Sequence, residues 1–152
     1  MSFHFSLDAV LRLRQSLEHQ QELRLRAANQ QIAKLRHLID LVDHRGEQMR
    51  SQAARQMSDG ATAAELRFGL LCQAELAKQR NVLAQEYLRV QKIRDEQQRL
   101  FEHVRRQREM VETLRERRFR DYQKDLARRK QRDLDEMFLL RSAHERLAKL
   151  NS

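Results

Sequence analysis

Six histidines and one cysteine are the first side chains of this chain to weigh as metal ligands, general bases or nucleophiles. A catalytic zinc helix needs two histidines four residues apart with a glutamate between them. His4, His19, His37, His44, His103 and His144 offer no such spacing. His37 and His44 stand seven apart, which only places them on one face of a helix. Cys72 has no accompanying His and Asp arrangement, and as a lone cysteine it forms no internal disulfide. Gly46, Gly60 and Gly69 are too scattered for a phosphate-cradling loop. No enzyme activity, no metal and no cofactor is therefore expected.

The chemistry that remains is ionic. The chain carries 31 Lys and Arg against 22 Asp and Glu, a net charge of +9. Much of this is local: residues 105–132 hold twelve basic and five acidic residues, net +7. Elsewhere, carboxylates have a basic residue one turn on, as in Glu22 and Arg26, Glu116 and Arg120, Asp125 and Arg129, or Glu145 and Lys149. Each such pair adds only about 0.2–0.5 kcal/mol to a helix. The basic segment has three readings: a solvated helix face, a docking face for an acidic protein, or a nucleic-acid site. Nucleic-acid binders usually add stacking aromatics or a groove-reading fold. Only Phe119 and Tyr122 interleave these charges, so no nucleic-acid partner is expected.

The elements that would carry this surface are helices. Proline is absent, charged residues make up 35% and aromatics 5%. Such a composition belongs to coiled coils, whose apolar burial is a narrow seam. Ser6 reads as a helix N-cap, with Asp8 in the first turn and Phe5 and Val10 placed as a hydrophobic staple. From Leu25 the apolar positions run Ala28, Ile32, Leu35, Ile39, Val42, Gly46, Met49 and Ala53, alternating steps of three and four. The steps from Leu17 through Gln21 to Leu25 read as a stutter. Ser58-Asp59-Gly60-Ala61-Thr62 has turn chemistry, and Thr62 with Glu65 forms a capping box.

The second stripe runs Leu66, Leu70, Ala74, Leu76, Leu83, Val90, Ile93, Gln97, Leu100, Val104, Gln107, Val111 and Leu114, with Gln97 and Gln107 setting the register. A short turn makes two helices antiparallel neighbours. The expected fold is all-α: a long antiparallel two-helix coiled-coil hairpin with an extended second helix. Residues 1–152 read as one coiled-coil domain, with helix 1 at about 7–57, a turn at 58–62 and helix 2 at about 63–150. Folding at Gly60 sets Leu7 opposite roughly residue 113. Small residues near the bend would let the helices approach closely. Everything past Leu114 is then without an intramolecular partner, and the most basic segment lies there.

These features resemble a known family. Phe3-His4-Phe5-Ser6-Leu7-Asp8-Ala9-Val10-Leu11-Arg12-Leu13-Arg14 is similar to the opening of the flagellar export protein FliJ, which often reads F-x-F-x-L-x-x-(V/L)-L-x-x-R. Gln131-Arg132-Asp133-Leu134-Asp135-Glu136 resembles that family's basic approach to a Leu-Asp-Glu motif, and Met57-Ser58-Asp59-Gly60 its turn. The resemblance implies a stalk-like component and chaperone escort of the flagellar type III export apparatus. Its implied partners are the export ATPase FliI hexamer, the export gate protein FlhA and export chaperones. It also implies a cytoplasmic location, peripheral at the inner membrane of the flagellar base and held there through partners. That agrees with an N-terminus lacking signal-peptide character and with the absence of any long apolar run.

A stalk enters its ring by the end that bears both termini. Arg115, Arg117, Arg118, Arg120, Arg128 and Arg129 are therefore the candidate ATPase-binding residues. Matching of the Leu38-Ile39-Asp40 segment and of the second helix gives Leu38, Leu41 and Leu76 as candidate gate-binding residues, with seam packing as the competing role for Leu38 and Leu76. Family members often carry aromatics near here, where this chain has Leu41, Arg45 and Cys72. The alternatives are the equivalent stalk of a virulence injectisome, a basic coiled coil that binds nucleic acid, and a scaffold that homodimerises through its unpaired stripe.

Overall fold

The computed structural model describes residues 2–151. Two helices account for nearly all of them: α1, Asp8–Asp59, and α2, Ala63–Leu150. They pack against each other as an antiparallel two-helix hairpin, with no strand among the described residues.

The turn follows local chemistry. Gly60 has φ of 89°, a conformation an L side chain resists, and it ends α1. The Ala61 amide closes the helix end on the Gln56 carbonyl at 2.9 Å. The Thr62 amide donates to Glu65 Oε2 at 2.9 Å, and the Glu65 amide returns to Thr62 Oγ1 at 3.3 Å. Both arms of the expected capping box are thus made.

The chain divides into two compact units, one of residues 16–105 and one combining the chain's two ends, up to Gln15 and from Arg106. In the first unit the cross-helix pairs Arg36 with Tyr87, Asp43 with Arg80 and Gln21 with Gln97 centre within two residues of Gly60. This is the pairing that the turn position implies. The α1 seam runs Glu18, Gln21, Leu25, Ala28, Ile32, Leu35, Ile39, Val42, Gly46, Met49 and Ala53, all buried or half-buried. It holds the three-four alternation without a stutter. Gln21, not Leu17, sits inside, and its side-chain amide donates to Gln97 Oε1.

The second stripe differs by one residue from the expected one. Leu70, Ile93 and Leu100 are exposed, while Gly69, Arg94 and Phe101 sit inward. Val90, at 1% exposure, fixes the phase. From there Phe101 buries more apolar surface than Leu100 could, and Arg94 lays its stem along the seam. Arg94 Nε is buried and lies 3.0 Å from the Asp95 carboxylate, without hydrogen-bond geometry. The glycines near the turn serve no close approach: a Cβ at Gly46 or Gly69 would meet nothing within 4 Å.

In the second unit the residues before Asp8 lie along α2 past Leu114. Phe3 lies edge-on to Phe119 at 5.2 Å and beside Tyr122 at 5.6 Å. The residues before Asp8 are not helical, yet they continue the cover of α2 beyond the helix start. The covered part of α2 therefore extends to Tyr122, not to Leu114. Phe5 and Leu11 are buried at 4% and 2% exposure, while Val10 lies near the surface. Ser6 is not the cap but lies one residue before it, and its hydroxyl accepts from Arg118 at 2.8 Å. The first helical bond runs instead from the Leu11 amide to the Leu7 carbonyl, 2.9 Å.

Candidate docking surfaces

The basic segment of α2 is sorted by what each cation touches. Arg118 is committed within the chain: it donates to Ser6 Oγ and sits over the Phe5 ring, 5.7 Å from its centre. A cation over a ring is worth about 0.5–1 kcal/mol at an exposed site. Arg120 lies 3.5 Å from the Glu116 carbonyl one turn back, and Arg128 3.7 Å from Asp125. Arg129 also has an interaction of its own within the chain. Arg115 and Arg117 are exposed and make no ion pair among the described residues. Arg115 lines a groove of about 300 Å³ with Phe3, Glu112, Glu116 and Phe119. The six candidate arginines are thus all on the exposed surface of one unit, but Arg118 also helps to hold the N-terminal residues in place.

Among the described residues, the contacts of the N-terminal segment with α2 reach as far as Tyr122. Leu134, Met137, Phe138, Leu139 and Leu140 are 54–72% exposed. Met137–Leu140 is one complete helical turn of apolar side chains, so it has no polar side at all. Helices apolar all round are buried in the state in which they function.

In the unit around the turn, Leu38 and Leu41 are each 44% exposed. They line a groove of about 490 Å³ with Arg45, Glu75, Val82 and Leu83. Leu76 does not share it. It lies in a second groove of about 310 Å³ beside Gly46 and Ala77, on the seam. Charge around these grooves is held in pairs. Arg80 makes a two-pronged contact to Asp43, 2.6 and 3.4 Å, and that carboxylate raises its already high pKa. Arg36 donates to the Tyr87 hydroxyl at 2.8 Å, which raises its pKa likewise. Arg89 bonds to Glu86, whose carboxyl is lowered by that bond.

No three His, Cys, Asp or Glu side chains converge as metal ligands among the described residues, and Cys72 is a half-buried free thiol. No helix is long and apolar enough to cross a membrane among those residues. The N-terminal strap over Phe119 and Tyr122 escaped the sequence reading. The signal that could have found it was the pair of phenylalanines before the helix cap.

A family model described as flagellar FliJ protein matches residues 3–147. No curated protein and no solved structure matches the chain.

Proposed function

The chain belongs to the flagellar FliJ protein family, a family of the flagellar export apparatus, and on that premise we propose that it is the apparatus's stalk-like binding component. It acts by docking to other proteins, with no catalysis of its own. The end bearing both termini enters the hexameric ring of the export ATPase FliI. The observation that carries this reading is the exposed turn Met137–Leu140, apolar on every side, on the same helix as the open cations Arg115 and Arg117. A single flat partner covers one side of a helix, whereas a ring encloses all of them. Arg115, Arg117, Arg120, Arg128 and Arg129 supply the ionic part of the contact. Arg118 contributes less, being tied to Ser6 and Phe5.

The groove at Leu38 and Leu41 receives the export gate protein FlhA, with Leu76 as a neighbouring seam residue rather than a direct contact. Export chaperones are handled by the same complex, which sits in the cytoplasm against the inner membrane at the flagellar base.

Two binding experiments test this. Charge reversal, Arg115→Glu with Arg117→Glu, is expected to weaken binding to the ATPase, and binding of the parent is expected to fall as salt rises, since surface charges are screened within about 8–10 Å. Unchanged affinity at low salt refutes the ring contact. The double change Leu38→Ala and Leu41→Ala removes half-exposed side chains, so the helix content should stay while gate binding drops. Loss of fold together with binding would return these residues to a packing role.

A further inference from the structure

We propose that residues 122–144 of α2 associate with the same residues of a second copy, antiparallel, about a two-fold axis near Asp133. This goes beyond the ring reading and needs neither ring nor gate.

Two features of the segment point to a second copy. The first is spacing. Counting outward from Asp133, Arg129 and Met137 stand four residues away, Leu126 and Leu140 seven, and Tyr122 and His144 eleven. In an antiparallel pair centred there, Leu126 of each copy meets Leu140 of the other, and Tyr122, already packed on Phe3 of its own chain, ends the contact beside His144. Layers match layers, which antiparallel helix packing requires. Met137 and Leu140 are 54% and 72% exposed.

The second feature is charge. Residues 128–132 carry Arg128, Arg129, Lys130 and Arg132, and residues 133–136 carry Asp133, Asp135 and Glu136. About this axis the two blocks meet in one kind of ion pair, Lys130 with Glu136, while Arg128, Arg129 and Arg132 stand opposite Phe138, Met137 and Leu134. The same axis sets Lys130 of one copy against Glu136 of the other, and Asp125 against Arg141. Lys130, Glu136 and Arg141 make no ion pair within the chain among the described residues. Lys130 and Glu136 of one copy are six residues apart, which places them on different sides of the helix and out of reach of each other. Asp125 has only the exposed contact to Arg128 at 3.7 Å, a kind of pair worth little.

A polar centre weakens the association. Arg129 and Asp133 interrupt the apolar stripe, and Asp133 faces its own copy across the axis. The dimer is therefore reversible and salt-sensitive, unlike an obligate pair. A lipid surface suits this segment less well, since binding in the interface plane needs one apolar and one charged face. Here acidic Asp133, Asp135 and Glu136 adjoin the apolar turn, so the segment lacks a basic face for anionic lipid. Arg129 belongs to both proposed surfaces, so a second copy and the ring compete for it. The dimer would then hold free copies until a ring takes them.

The test is sedimentation of the purified full chain, from micromolar to hundreds of micromolar, at low and high salt, without any partner. A monomer–dimer equilibrium that weakens with salt is expected. Lys130→Glu and Glu136→Lys alone should each weaken it by about tenfold, since each turns two attractive pairs into repulsive ones. An equimolar mixture of the two variants should recover the parent's association, because every contact between them is again opposite in sign. Leu140→Asp should abolish it with helix content unchanged by circular dichroism. A monomer at all concentrations overturns the proposal, including a monomer that co-sediments with phosphatidylglycerol vesicles. So does a dimer indifferent to these changes, or a mixture that fails to recover. Because no ATPase is present, failure here leaves the ring reading standing, and failure of the ring reading leaves this result unaffected.

Discussion

Replacing Gln21 or Gln97 by leucine tests whether the polar layer inside the seam is a bonded pair or two tolerated intruders. Gln21 is 8% exposed and donates its side-chain amide to Gln97 Oε1 across the helices. Gln21→Leu alone leaves the Gln97 amide facing an apolar neighbour. An unpaired buried polar group costs about 1–3 kcal/mol. Leucine's extra apolar burial offsets part of this, at about 25 cal/mol per Å² removed from water. Each single change should therefore destabilise by about 1 kcal/mol. The double change Gln21→Leu with Gln97→Leu leaves no orphan and should match or exceed the parent. The non-additivity is then about 2 kcal/mol, within the range for residues in contact. Urea unfolding followed by far-ultraviolet circular dichroism of all four proteins gives the cycle. Additive effects would refute the pairing. The double variant should also lose some uniqueness of alignment, because a polar seam layer fixes register at a cost in stability.

Three further outcomes are expected. Gly46→Ala and Gly69→Ala should each stabilise by about 0.5–1 kcal/mol, since both are helical and an added Cβ meets nothing within 4 Å, whereas Gly60→Ala should destabilise because φ there is 89°; thermal melts report all three. Thr62→Ala removes the hydroxyl that accepts the Glu65 amide and should cost about 1 kcal/mol by the same assay. Arg89 holds the Glu86 carboxyl below its ordinary value, so that pair contributes stability above the unfolded-state value, near 4.3, and loses it as pH falls through the folded one. Glu86→Gln should therefore flatten the decline of the urea midpoint between neutral pH and about pH 3.

Much of the architecture is legible in the sequence because it rests on local chemistry. Asp59-Gly60 and the Thr62–Glu65 box mark the turn, and the turn position alone dictates which residues pair across the hairpin. The α1 stripe from Leu25 to Ala53 reads correctly because apolar residues occupy its three-four positions. The stretch through Arg14 and Glu18 does not, because its inward positions are polar and hydrophobic spacing points to Leu17. Arg14 and Gln21 are inside because each finds a cross-helix partner, Gln107 and Gln97, which no single-helix pattern reveals. On α2, neighbouring apolar pairs such as Leu100 with Phe101 leave the phase open until Val90 fixes it against α1. The candidate arginines are legible as a cluster, but the capture of Arg118 by Ser6 and Phe5 is not, because it involves residues before the helix start at which the heptad count begins.

The most direct test of the stalk role is ATP hydrolysis by the export ATPase of the same organism, measured with and without this protein. Stimulation accompanied by ring assembly, and lost with Arg115→Glu and Arg117→Glu, is the expected result. No stimulation at any salt or protein concentration, with ring assembly unchanged, would contradict it.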